Sequence, residues 1–191
     1  MFNNLEQQKG DLGSINAELE RQAKIYRGLG ISKDDIMRLA APRPDFLPYE
    51  LSIPIITLGS SVDLDRQAKY AGITTNFNLS LAHDDAGAIT YGSPHLIWMH
   101  DGTKFEGQTI EWSLNQMTPG ERPATIADGI ALALVYRNIH RTFKGHNIDL
   151  RGSAMGSMGT VILGQGSRGF VLSHVSSHHG RRDWCLALSG G

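Results

Sequence analysis

Short apolar runs separated by glycines fill the chain from Asn147 onward, and this pattern restricts the fold more than any other feature. The runs are NIDL, GTVIL, GFVLSHV and DWCLAL. Runs of this length bounded by glycines are typical of strands joined by tight turns. Because each run closely follows the one before it, we predict an antiparallel meander in the C-terminal part of the chain.

The first forty residues have a helical periodicity instead. Apolar residues recur every three to four positions between residues 15 and 26, which predicts a helix, and two glycines end it. Ser32 followed by Asp35 is a capping-box pattern and predicts the start of a second helix. Pro42 ends that helix.

The central region mixes both patterns. The β-branched run Ile53 to Leu58 predicts a buried strand, and residues 61–73 predict a helix that begins at Ser61 or Asp63. Residues 74–93 carry no assignable pattern. The stretch HLIWMHDGTKFEG predicts a hairpin whose turn is Asp101-Gly102.

A long helix is predicted from about Thr125 to Arg141. Thr125 can cap the helix, and Asp128 three residues later can complete a second capping box. An apolar stripe and a polar face follow at helical spacing. The stripe is Ala127, Ile130, Ala131, Leu134 and Val135, and the polar face is Arg137, His140 and Arg141.

Helices early and strands late predict an α+β fold. Its parts are an N-terminal helical pair, a central mixed region with one long helix, and C-terminal antiparallel strands. Since neither a repeat nor a low-complexity linker interrupts the chain, we predict a single domain over 1–191, with the helical pair in 1–42 and a sheet-containing body in 43–191.

Composition excludes several classes of protein. The 191 residues are 40% hydrophobic, which is enough to build a core without a disulfide or a structural metal. The net charge of −1 argues against nucleic acid or an anionic membrane surface as the main partner. We predict a cytoplasmic protein for three reasons. The chain has one cysteine, Cys185, it has no long apolar run, and its N-terminus lacks signal-peptide features.

Three segments together resemble a bacterial family of conserved proteins of unknown function. They are ELERQAKIYRGLGISKDDIMRLAAPRP, TIADGIALAL and HNIDLRGS, in this order. The second segment is similar to the family's T-I-x-E-G-I-A-L helix, with Asp128 at the acidic position. The tail SHVSSHHGRRDWC has less tryptophan than family tails, so no site residue is carried over. The resemblance implies a shared fold and no particular activity.

The string GQGSRG at residues 164–169 fits the glycine pattern of dinucleotide-binding loops. That chemistry needs a helix after the third glycine to hold the pyrophosphate. Here GFVLSHV follows, which is typical of a strand. We therefore predict a hairpin turn and no cofactor.

The histidines fall into three groups that suggest metal binding. The groups are His174, His178 and His179 with Asp183; His95 and His100 with Asp101; and His83 with Asp84 and Asp85. None has a recognised zinc-ligand spacing, so surface or loop histidines are the favoured interpretation and no metal site is assigned. Cys185 is interpreted as a structural thiol and not as a nucleophile, because the sequence shows neither a base nor an oxyanion hole for it.

Polar chemistry is densest in residues 151–159 and 174–184. We interpret RGSAMGSMG as a glycine- and serine-rich loop whose amides can line an anion site, and SSHHGRRDW supplies hydroxyls, imidazoles and guanidinium groups. The predicted ligand-binding residues are Arg151, Ser153, His174, His178, His179, Arg181 and Arg182.

Three functions fit this sequence. The first is a module that binds a small molecule or an anionic ligand at the 151–159 and 174–184 segments. The second is a protein-interaction module that uses the N-terminal helices and an exposed strand edge. The third is a metal-dependent hydrolase built on the histidines.

Overall fold

The computed structural model describes residues 12–39, 52–84, 92–100, 109–117, 121–135, 147–155, 159–167, 169–175, 184–186 and 188–190. The helices are α1 (Leu12–Tyr26), α2 (Lys33–Met37), α3 (Leu64–Ala71), α4 (Ile110–Asn115) and α5 (Ile126–Val135), with 3-10 turns at Arg27–Leu29 and Leu79–Leu81. The strands are β1 (Ser52–Thr57), β2 (Thr74–Thr75), β3 (His83–Asp84), β4 (His95–His100), β5 (Glu121–Pro123), β6 (Asn147–Ala154), β7 (Thr160–Gly166), β8 (Gly169–Val175), β9 (Trp184–Leu186) and β10 (Leu188–Gly190).

The strands form two sheets, so the predicted α+β class is confirmed. The first sheet has the order β1-β4-β10-β5, and its neighbouring strands are antiparallel. The second has the order β2-β8-β7-β6-β3, with β9 also paired to β6. Within the described ranges, no helix is long and apolar enough to cross a membrane.

The predicted meander is confirmed from β6 to β8 and wrong after it. Strands β6, β7 and β8 pair antiparallel in sequence order, and the GQGSRG string forms the β7–β8 hairpin, where Gly166 pairs with Gly169. DWCLAL is not one strand. Its first part, β9, runs parallel to β6, and β10 joins the first sheet. Strand order here depends on contacts between distant segments, which local patterns do not encode.

Local capping chemistry fixes where three helices begin. The Ser32 hydroxyl oxygen accepts from the Asp35 amide at 3.1 Å, as the capping box predicted. Asp63 rather than Ser61 caps α3, accepting from the Arg66 amide at 3.0 Å. At the start of α5, Asp128 Oδ2 accepts from the Thr125 amide at 2.8 Å.

The predicted Asp101-Gly102 hairpin is only partly visible. Its first strand is confirmed as β4, and its turn and return strand lie outside the described residues. Trp98 and Met99 of β4 already pair with β1 on one side and with β10 on the other. Both edges of β4 are thus paired at these two positions.

Helix α5 lies at the centre of the packing. It contacts α1, α3, β1 and β6, and all ten residues from Ile126 to Val135 are buried. The five residues of the predicted apolar stripe are buried, and the other five are buried as well because both sheets and two helices enclose this stretch. The predicted polar residues beyond Val135 lie outside the described ranges.

The outer edge of β1 is covered by side chains of α1. Gln22 is fully buried; its amide group donates to the Pro54 carbonyl at 2.8 Å and accepts from the Ile56 amide at 2.9 Å. The Tyr26 hydroxyl donates to the Ile56 carbonyl. Together they supply the hydrogen bonds that a neighbouring strand would make, and an edge strand otherwise leaves such groups open to another chain.

Candidate functional site

The segment predicted as a ligand-binding loop begins as a strand. Residues 151–154 belong to β6, so the prediction of a loop over 151–159 is wrong at its start. Ser153 is 1% exposed, and its hydroxyl oxygen accepts from the Ile126 amide at the first turn of α5, at 2.9 Å. This hydroxyl therefore joins β6 to α5 and has a structural role.

Next to Ser153, a buried ion pair holds the start of α5. The Arg122 guanidinium donates to both oxygens of Asp128, at 2.7 and 3.3 Å, and also to the Pro123 carbonyl. The Gly152 amide donates to the Ala124 carbonyl at 2.8 Å. A side chain at Gly152 would lie 2.7 Å from a backbone oxygen, so this close approach requires glycine.

His174 lies on the face of the second sheet that meets the core. It pairs with Val161 of β7, which pairs in turn with Leu150 of β6. An added carbon at Gly129 of α5 would collide with Leu150, so this face, hereafter the inner face, packs on the helix. The half-buried His174 ring meets Phe77 edge to face, with centroids 6.0 Å apart.

The remaining predicted site residues, His178, His179, Arg181 and Arg182, lie outside the described residues. Their convergence with Arg151 stays a prediction. Among the described residues, no group of three or more His, Cys, Asp or Glu side chains could hold a metal ion.

The opposite face of the second sheet, hereafter the outer face, carries a buried polar cluster centred on Asp149. Asp149 pairs with Ile162 of β7, which pairs with Ser173 of β8, so alternation places Asp149 and His174 on opposite faces. Asp149 is 1% exposed, and Thr160 donates to its Oδ1 at 3.0 Å. The other carboxylate oxygen, Oδ2, is buried and has no hydrogen-bond partner among the described residues.

The surroundings of Asp149 make its charged form costly. Burial raises the pKa of this carboxyl to about 6, while the Thr160 hydrogen bond and the Arg151 charge act in the opposite direction. A buried carboxylate is ordinarily paired or fully hydrogen-bonded. Asp149 therefore has one unpartnered acceptor oxygen and a pKa that burial raises to about 6.

Arg151 follows two positions later on the same strand. Its charge acts on Asp149, yet it forms no ion pair or hydrogen bond with the described residues. The register of β6 against β7 shifts between Leu150 and Ala154, so Arg151 lies where the strand pairing is irregular. Such irregularities redirect side chains and recur beside functional sites. Arg151 itself is half-buried.

Of the predicted residues, the structure brings together Arg151 and a partner that sequence reasoning missed. His174 aligns with Leu150 on the inner face, whereas the charge of Arg151 acts on Asp149 of the outer face. Asp149 and Thr160 were not predicted. A signal existed in NIDLR, where strand alternation predicts the aspartate and the arginine on the face opposite the two apolar residues.

Comparison with known proteins adds no relative. No family model matches the chain, and neither does any of the curated proteins or solved structures searched. The resemblance to a bacterial family therefore stays a prediction. The outer face of the second sheet is the candidate site on its own geometry.

Proposed function

We propose that the protein is a module that binds a small polar ligand on the outer face of the second sheet, with Arg151 holding an anionic group. The observation that carries the proposal is the Asp149 carboxylate, buried with one oxygen unpartnered beside an uncommitted guanidinium. A buried acceptor without a donor costs about 1–3 kcal/mol, and a bound ligand would offset that cost.

Two observations weigh against the other functions considered. Gln22 and Tyr26 already occupy the outer edge of β1, which disfavours strand addition there as the route to a partner. Of the histidines on which the hydrolase would depend, His174 packs edge to face on Phe77, which gives it a role in packing. The ligand-binding proposal instead uses Asp149 Oδ2, the oxygen that Thr160 leaves unpartnered, together with Arg151.

Backbone amide NMR provides the test. The protein labelled with ¹⁵N is titrated with acetate, inorganic phosphate, methylamine, guanidinium and glycine, and the shifted amides are mapped. We expect at least one compound to shift amides of residues 149–151 and 160–162 in a saturable way. Saturable shifts confined to other parts of the chain, or none with any compound, would contradict the proposal.

A further inference from the structure

The two uncommitted groups of the outer face carry opposite charge, and this restricts the ligand they can hold. Asp149 Oδ2 accepts hydrogen bonds, while the Arg151 guanidinium only donates them. They are two residues apart on β6, so their Cα atoms lie about 7 Å apart. Although attraction would favour a direct ion pair, the described structure has none between them.

We propose that the ligand is a small zwitterion of the amino-acid type, whose ammonium group donates to Asp149 and whose carboxylate accepts from Arg151. This rests on the proposed function and narrows it to one class of ligand. Thr160 fixes the orientation of the carboxyl by donating to Oδ1 at 3.0 Å, which leaves Oδ2 for the ligand. The site would select a zwitterion because the ligand's ammonium and carboxylate groups match the charges of Asp149 and Arg151.

The groups around Asp149 allow the pH response to be stated. On β7 its neighbours Thr160 and Ile162 are uncharged, the β9 position in register is Leu186, and on β6 the charged neighbour is Arg151. An ammonium group needs the ionised carboxylate, whereas a lone anion is repelled by it. Lowering the pH from 7.5 to about 5 should therefore weaken binding of a zwitterion and strengthen binding of a simple anion.

Titrations of the wild-type protein with glycine and its two halves, acetate and methylamine, test the inference. We expect glycine to bind about tenfold more tightly than either half, the effect of one further charge-assisted hydrogen bond. Its affinity should fall toward pH 5. Acetate binding that equals glycine binding and rises toward pH 5 would overturn the zwitterion while leaving the proposed function standing. Absence of binding by all three on this face would overturn the zwitterion as well.

Substitutions give a second, independent readout. Asp149→Asn and Arg151→Ala should each weaken glycine binding by about tenfold. The exposed residues Asp65 and Arg27 supply matched controls, and Asp65→Asn and Arg27→Ala should leave it unchanged. Dispersed amide spectra establish that each variant is folded. If a variant does not fold, the pH dependence of glycine and acetate binding by the wild-type protein still tests the zwitterion. Loss on Arg151→Ala alone would indicate an anion site and reject the zwitterion.

Discussion

At the scale of single residues, Gly129 and Asp149 show that packing determines how a residue affects stability. A glycine inside a helix ordinarily costs about 1 kcal/mol relative to alanine. Gly129 is retained in α5 at a point where an added carbon would lie 2.5 Å from Leu150 of β6. The glycine of the TIADGIALAL segment is thus explained by contact between helix and sheet.

We expect Gly129→Ala to lower the free energy of unfolding by about 1–2 kcal/mol, because the steric cost exceeds the gain in helix propensity. Urea denaturation measures the loss. Gly92→Ala is the control, since an added carbon there meets no atom within 4 Å. The cost should shrink in a Leu150→Val background, and an equal cost in both backgrounds would contradict the steric explanation.

Asp149 should make stability depend on pH with a defined sign. Burial raises the folded-state pKa to about 6 from an ordinary 3.8, so the folded protein holds this proton more tightly than the unfolded chain. Its contribution is favourable at low pH and is lost as pH rises from about 4 to 6. The loss is on the order of 3 kcal/mol.

Comparison with Asp149→Asn isolates this effect, because the other carboxyl groups titrate alike in both proteins. We expect the wild type to lose stability relative to the variant between pH 4 and about 6, and no further above that. Urea unfolding at half-unit pH steps measures the difference. A constant difference across this window would contradict the raised pKa.

At the scale of elements, α1 completes the first sheet. Gln22 bonds to the Pro54 carbonyl and the Ile56 amide, so a helix side chain takes the place of a strand at the edge. Arg21 extends the docking by donating to the Val135 carbonyl at the end of α5, at 3.1 Å. The N-terminal helix is therefore fixed to the body by specific polar contacts as well as by its apolar side.

We expect Gln22→Ala to destabilise the protein by about 2–4 kcal/mol, because it leaves two buried backbone groups without partners. Gln165→Ala makes the same chemical change at an exposed position of β7 and should cost little. Thermal and urea unfolding of both variants measure this contrast. Equal costs would mean that the Gln22 contacts contribute nothing beyond surface packing.

At the scale of the whole molecule, charge and helix length argue against nucleic-acid recognition by the N-terminal pair. Helix α2 has only five residues, with Asp34 and Asp35 in its first turn. Lys33 is bound to Glu20 of α1 at 2.9 Å. Acidic groups at this helix start would repel phosphates.

Gel-shift titration of mixed-sequence duplex at low salt should accordingly show only weak binding. A protein that grips phosphates shows tight binding that falls steeply with added salt. The charge reversal Asp34→Lys with Asp35→Lys provides a positive comparison, since it should strengthen nonspecific binding. Sub-micromolar, salt-sensitive affinity of the wild type would contradict this prediction.

The sequence by itself determined the features whose causes lie within a few residues of one another. Ser32 with Asp35, and Thr125 with Asp128, meet because one helical turn brings positions three apart together. Strands β1, β6, β7 and β8 followed from side-chain type and glycine spacing, and with the helices they were enough for the α+β class.

Tertiary structure alone decided what depends on segments far apart in the chain. β9 pairs with β6 and β10 with β4, and Ser153 meets the start of α5, through contacts that no local pattern specifies. Asp149 and Arg151 are two positions apart in the sequence, but the burial of Asp149, its unpartnered oxygen and its raised pKa exist only when the sheet is assembled. The solvation of a side chain depends on how the whole molecule packs, so the sequence does not show it. For this reason the site was predicted in the polar tail and not at a carboxylate inside a strand.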